Sequence, residues 1–427
     1  MVNVDIKYKK YTLGNYRINI NKLILFMCKM SIIIDLFTGA ILISKPDSHA
    51  IIGVLYKFIF LLFLYSYILK LNKIVLFSIL ILFVITVLAS LNDSIYSLPV
   101  NLISTSKLLV FVLLFYYLKY LIKVGFLNTK ILFDIARFTF IVIVVNQLLG
   151  LFGFGKPTYK LDNINIGTSG FFFETNSYSY ILIIVIVIFY YYINAKITFT
   201  KKILFLIFCL FLGVSIATKV AIGGVIISSL IILGGKSKKQ LFLFLLIGFA
   251  LVYIQRDRLY NSTQALFYID KFDQDPNRAF YSDRDVSKEK GLTTYVEKYS
   301  FFEKVVGIGQ FRMINDKIYG GTTEMDYIDI LKTYGLLGLI VVYFPYLMII
   351  IQQYRMYRKT NFEDFKITFI MNLFLFILSC LAGHFLISGS VSIYLAILNV
   401  YPFLSYTEHL KTHENKFDKI KIESKLI

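Results

Sequence analysis

Predominantly apolar stretches recur along the chain, at 51–69, 74–91, 131–152 and 180–192 among others, each near the roughly 20 residues that cross the hydrocarbon of a bilayer. Backbone N–H and C=O groups find no water in that medium and must bond within their own segment, so these stretches are expected to be helices. Composition agrees: of 427 residues, 57% are hydrophobic and 17% charged, with a mean hydropathy of +0.70, beyond what a water-soluble domain can bury. The expected fold is all-α, a polytopic transmembrane helix bundle of about 12 spans with one large extracytoplasmic loop. The spans are placed at 22–43, 50–69, 74–91, 100–120, 131–152, 176–194, 203–217, 219–234, 241–256, 333–351, 366–387 and 389–405. Only Thr218-Lys219 separates the seventh from the eighth. The first is followed by no small-residue cleavage site and is read as a retained insertion signal.

A formal charge of +19 would suit a nucleic-acid binder only if it lay on one folded surface. Here it is scattered through short inter-span segments, so nucleic acid is not an expected partner and the charge becomes a topology signal. With a cytoplasmic N-terminus, the inside segments hold roughly 25 Lys and Arg against about three in the short outside loops, the asymmetry of the positive-inside rule. This divides the chain into helices one to nine (1–254), a large extracytoplasmic loop (255–332), helices ten to twelve (333–405) and a cytoplasmic tail (406–427). Tyr clusters at 116, 117 and 120 and at 190–192 beside lysines stand where an aromatic belt is expected, Trp being absent. Cys28, Cys209 and Cys380 lie in apolar stretches without disulfide or zinc spacing and read as packed thiols. The loop is long, aromatic-containing and nearly balanced in charge, which points to function rather than mere connection. No repeat relates the two halves, which weighs against an inverted-repeat transporter.

Polar groups in hydrocarbon cost several kcal/mol when unpaired, roughly, so each one in or beside a span needs a reason. On this topology Glu174, Asn176, Lys219, Arg278, Arg284, Arg312, Glu324, Asp326, Asp329 and His384 share the outer face. Each also has a structural reading. Lys219 can snorkel at a helix end, and Arg284 in Asp283-Arg284-Asp285 can form a solvated ion pair. Asp326 and Asp329 can complement a helix N-terminus, and His384 after Gly383 can be a packing residue. Asp35 and Lys107, inside spans one and four, read as a structural pair across helices. Asp273-Gln274-Asp275 has the Asp-x-Asp form of metal-dependent glycosyltransferases, and His409 and His413 have helical metal-ligand spacing, but both patterns are short and sit in charged segments. No Gly-rich nucleotide loop is present, so ATP-driven chemistry is not expected.

Three segments carry a further signal: Ser169-Gly170-Phe171-Phe172-Phe173-Glu174-Thr175-Asn176; then Gly307-Ile308-Gly309, Thr322 to Leu331 and Tyr334-Gly335-Leu336-Leu337-Gly338; and Ala382-Gly383-His384-Phe385 with Ser388-Gly389. In order and spacing around one large outer loop they resemble the bacterial O-antigen polymerase and ligase family, over about 165–399. The chain departs from that pattern where many members carry His-Asn, here Glu324-Met325, and where many carry Ser-Arg, here Thr218-Lys219. The second change keeps the charge and loses the bidentate fork of Arg.

The resemblance implies a metal-independent membrane glycosyltransferase with no cofactor: a polysaccharide polymerase for O-antigen, capsule or exopolysaccharide, joining repeat units carried on undecaprenyl pyrophosphate. It implies a catalytic role for Glu324, Asp326 or His384 as base, and substrate-binding roles for Lys219, Arg284, Arg278, Arg312, Glu174 and Asn176. The implied partners are lipid-linked glycans, membrane lipids, a chain-length regulator and a flippase, and the implied location is the bacterial cell membrane. An O-antigen ligase is the alternative within the family. A lipid-linked oligosaccharide transporter is the alternative outside it, and would hold its charges near the bilayer midplane.

Overall fold

The computed structural model describes residues 11–13, 16–45, 51–67, 73–161, 164–193, 198–236, 269, 272–273, 284–319 and 321–423. A short hairpin, β1 (Tyr11–Leu13) and β2 (Tyr16–Ile18), leads into α1 (Ile20–Ser44). The Asn19 side chain starts that helix by accepting from the N–H groups of Asn21 and Lys22 at 3.1 and 3.3 Å. There follow α2 (Ile51–Tyr65), α3 (Lys73–Asp93), α4 (Leu98–Lys123) and α5 (Thr129–Leu151), then β3 (Lys156–Leu161) and β4 (Ile164–Gly170). Next come α6 (Thr175–Ile193), α7 (Phe199–Ile216) and α8 (Lys219–Lys236). The described part of the large loop folds into α9 (Arg284–Lys298), α10 (Phe301–Val306) and α11 (Gly309–Asn315). The chain returns through α12 (Asp326–Thr360), α13 (Glu363–Ala382) and α14 (Gly389–Glu423).

The chain is a multi-pass membrane protein. Among the described residues eight helices are long and apolar enough to cross a membrane, and two shorter apolar helices, Ile52–Tyr65 and Lys219–Leu233, accompany them. Every expected span within the described residues falls on a helix; the one at 241–256 lies outside them. Three details differ. Within the span expected at 50–69 the described helix, Ile51–Tyr65, gives way to a turn at 66–67. The one expected at 366–387 ends at Ala382, because Gly383 and His384 both take left-handed φ values of 32° and 62°. His384 therefore sits in the α13–α14 connection and not inside a span. The all-α expectation also missed β3–β4, an antiparallel hairpin that folds back onto the ends of α5 and α7.

In α6 and α14 most of the span is buried within the protein, 78% in each, against 39–56% in the others, so these two form the centre of the bundle. Helix α14 packs on α4 and α6, and α6 on α5 and α8. Lipid tails are as apolar as Leu, so hydrogen bonds between helices contribute specificity that burial alone cannot, each about 0.6 kcal/mol on average. Asn372 of α13 and Asn399 of α14 exchange amide bonds at 2.8 and 3.1 Å, and Gln353 of α12 donates to the Asn399 carbonyl at 2.7 Å. At the other end of the bundle Thr86 and Thr105 join α3 to α4 at 2.7 Å.

That other end gathers the C-termini of α1, α3, α5, α7 and α13, the N-termini of α2, α4, α6, α8, α12 and α14, and the loop helices. Asn101 of α4 accepts from the Phe311 N–H of α11 at 2.9 Å. Asn146 and Gln147 of α5 donate to the carbonyls of Ser169 and Thr168 in β4 at 3.0 and 3.1 Å, and Thr158 of β3 donates to the Ile216 carbonyl of α7 at 2.6 Å.

Candidate active site

The loop that covers this end has its own scaffold. Ser300 and Glu303 form a capping box at the start of α10, and the Glu303 carboxylate also accepts from Arg312 of α11 at 2.5 Å. Arg312 donates a second bond to the Tyr319 hydroxyl and stacks over that ring at 4.6 Å. Burial opposes charge on Glu303, but the Ser300 N–H and hydroxyl and the Arg312 guanidinium outweigh it and hold the carboxyl below its ordinary range. Tyr299, Ile308, Met313 and Tyr319 close a small core beneath this pair. Arg312 is thus engaged in holding α10 and α11 together.

The surroundings of Gly307 and Gly335 explain why the second motif is glycine-rich. At Gly335 the helix α12 is interrupted, with φ 66° and ψ −172°, and the loop backbone at 305–308 lies against the break. Side chains at 307 or 335 would run into the backbone of Thr333 or Val305, and the Ile308 N–H donates to the Lys332 carbonyl at 3.2 Å. The loop is therefore fastened backbone to backbone onto the first turns of α12.

Those turns carry Asp326, Asp329 and Lys332, all buried. One oxygen of Asp326 accepts from the N–H groups of Phe385 and Leu386 at 2.9 and 2.8 Å, which ties the α13–α14 connection to α12. Asp329 accepts from the N–H and hydroxyl of Thr323 at 2.7 and 2.9 Å, and Lys332 donates to the Gly321 carbonyl at 2.6 Å. The stretch before α12 is thereby pinned at both of its ends. Gly383 packs directly on the Glu324 carbonyl, where any side chain would clash.

Among the described residues the non-glycine positions with positive φ are Ala217, Glu324, Asn361 and His384. Asn361 turns the chain between α12 and α13 at the far end, whereas the other three fall in or beside the segments that sequence reading selected. Such conformations carry strain that surrounding structure must hold, and they collect here at one end of the bundle.

The structure brings together part of the expected set. Arg284 meets Glu324 with Nε and Nη2 on one carboxylate oxygen at 3.3 and 2.8 Å; the Glu324 side chain remains 52% exposed. Glu174, just before α6, accepts from the Ser177 hydroxyl at 2.7 Å, and that hydroxyl also contacts the His384 carbonyl at 3.4 Å. Crowding by protein opposes charge on Glu174, but His384, Lys107, the Ser177 hydroxyl and Lys57 together hold its carboxyl below the ordinary range, so it stays an anion. Lys219 opens α8 after Thr218, whose hydroxyl accepts from the Ala221 N–H at 3.0 Å and meets Ser179 of α6 at 2.8 Å. Neither Lys219 nor Asn176 lines the cavities described next, and Arg278 lies outside the described residues, as does most of Asp273-Gln274-Asp275.

Two adjoining cavities share Lys107 and Glu174. The larger, about 250 Å³, is lined by Glu174, His384, Asp329, Gln310 and Ser104 along with Lys107. The other, about 130 Å³, lies between α1, α2, α4 and the starts of α6 and α14, and its polar lining includes Asp35, Lys57, Ser177 and Ser390. Lys57 forms an ion pair with Asp35 at 3.0 Å and donates to Ser390 at 2.7 Å. The pairing expected between Asp35 and Lys107 is instead made by Lys57, because α2 packs against α1 and presents it. Lys57, Lys332 and Ser390 are site residues that sequence reading missed; the available signal was a lysine inside an apolar stretch, which is rarely idle.

A sequence profile of the family described as O-antigen ligase like membrane protein matches residues 253–407. The match takes in the loop, α12, α13 and most of α14, and so includes Arg284, Glu324, Asp326 and His384. Glu174, Lys219 and the likeness read at Ser169–Asn176 lie outside it. No curated protein matches the chain. The loop and the last three helices are therefore similar in sequence to O-antigen ligase like membrane proteins.

Proposed function

We propose that the protein is a membrane glycosyltransferase of the outer face of a bacterial cell membrane, which lengthens a polysaccharide by moving a glycan from one undecaprenyl pyrophosphate carrier to a repeat unit on another. The observation that carries this reading is the convergence of Glu174, His384 and Lys107 on one cleft; His384 and the Arg284–Glu324 pair fall within the residues that match the O-antigen ligase like profile. An acceptor hydroxyl attacks the anomeric carbon while the bond from that carbon to the pyrophosphate oxygen breaks. The electron pair leaves with the pyrophosphate, and the hydroxyl proton passes to a base. Cations beside the departing oxygens stabilise the charge that develops there.

In this reading His384 is the base, because its imidazole lines the cleft together with Glu174. Asp326 acts as a positioning residue that holds the His384 segment. Arg284 supplies charge for the donor, with Glu324 orienting it. The test is to incubate the purified protein with a lipid-linked repeat unit: a ladder of lengthening glycans is expected. The description of the matched family favours a second reading, a ligase. A single transfer to a lipid A core acceptor, with no ladder, would establish that instead.

A further inference from the structure

Lys107 lines both cavities and a third space, an apolar slot of about 30 Å³ between α2 and α4. Apart from Lys57 and Ser106, the slot is lined by aliphatic and aromatic side chains, with Phe58 and Ile103, 51% and 38% exposed, at its lips on the surface of the bundle. Counting the rise along each helix puts Lys57 about 9 Å and Lys107 about 14 Å from the first described residues of α2 and α4, inside two apolar helices. A cation there requires a counter-charge. Lys57 has one in Asp35. Among the described residues Lys107 has no salt bridge, and Glu174 acts on it only at longer range.

We infer that the α2–α4 slot is the lateral gate for an isoprenyl phosphate lipid, whose apolar chain crosses between Phe58 and Ile103 while its anionic head reaches Lys107. An amphiphile of that kind matches what the slot presents in order: apolar lips facing the bilayer, an apolar passage, then one cation without an ion pair at the junction of two polar cavities. Of the two carboxylates of the inner cavity, Asp35 is ion-paired with Lys57, and Glu174 accepts from Ser177 and has His384 and, beyond ion-pair distance, Lys107 around it. The inference rests on the proposed reading only in naming the lipid as isoprenyl.

The test uses the full-length protein in lipid nanodiscs and an isoprenyl phosphate bearing a diazirine on its first isoprene units. Photolabel is expected on peptides containing Phe58, Ile103 or Val110, displaced by undecaprenyl phosphate but not by undecaprenol or inorganic pyrophosphate. Lys107→Met is expected to weaken the displacement at least about tenfold, with Lys107→Arg recovering most of it. Leu61→Phe, which fills the slot without touching a charge, is expected to abolish labelling. Label confined to other helices, equal displacement by inorganic pyrophosphate, or unchanged affinity in a monodisperse Lys107→Met protein overturns the gate. Labelling reports binding alone, so it separates the two ideas. Glycan extension without label in the slot leaves the reaction standing and removes the gate; label in the slot with no extension does the reverse.

Discussion

Glu324 and His384 lie in touching segments, share the left-handed backbone region, and face different surroundings. The carboxylate of Glu324 is half-exposed and held by Arg284, while His384 lines the cleft next to Glu174. A base must reach the acceptor hydroxyl with a free lone pair, and a carboxylate bound to a guanidinium offers that less well. The expected outcome is that His384→Gln lowers the rate of glycan extension by about 100-fold or more, whereas Glu324→Gln leaves measurable turnover and mainly raises KM for the lipid donor. Extension kinetics on the two purified variants decide it; a dead Glu324→Gln beside an active His384→Gln gives the role to Glu324, one of the three bases the sequence offered.

Between elements the decisive joints are backbone contacts and a few buried polar pairs. The apolar runs were enough to locate the helices, because in hydrocarbon a long apolar segment has little choice but to be one. They gave no sign of the break at Gly335 or of β3–β4, since both depend on distant partners: the loop backbone at 305–308 for the first, Asn146 and Gln147 for the second. The Glu303–Arg312 pair is another such joint, and its loss can be measured. Glu303→Gln is expected to destabilise α10–α11 by about 1–3 kcal/mol, seen as faster amide exchange over 300–315. The carboxyl is held below its ordinary value of 4.5 in the fold, so its contribution is complete above that value and is lost as pH falls through the depressed folded one. Protection of the wild-type loop amides, taken relative to their intrinsic exchange rate at each pH, should therefore fall on acidification, and that fall should be missing from Glu303→Gln.

For the whole molecule, the outer members of the expected site were legible as residue types in the wrong chemical company, polar groups at the ends of apolar runs. Of the inner members, Asp35 and Lys107 were legible as charges inside spans but read as a structural pair, and Lys57 was missed, because the three stand on different helices and only their packing makes a cavity of them. Sidedness follows from the lysine asymmetry and is open to direct test. Reporter fusions after Lys202 and Lys359 are expected to read cytoplasmic and fusions within 284–317 external; a cytoplasmic loop would place the cleft on the wrong side for a translocated glycan.

The length of α2 bears on the surrounding lipid. Its 15 residues rise about 22 Å, against a hydrocarbon thickness of about 30 Å. Tilting only shortens a helix further, so where this described length meets the hydrocarbon the bilayer is expected to thin along that flank, at a fraction of a kcal/mol per Å of mismatch, roughly. Thinning there draws the headgroup plane down toward the level of Lys57 and Lys107, on the flank where the α2–α4 slot opens. Membrane thickness is then expected to govern the proposed reaction: reconstituted into lipids of increasing acyl length, the protein is expected to lose glycan extension progressively, and a rate indifferent to chain length would show that this flank does not deform its surroundings.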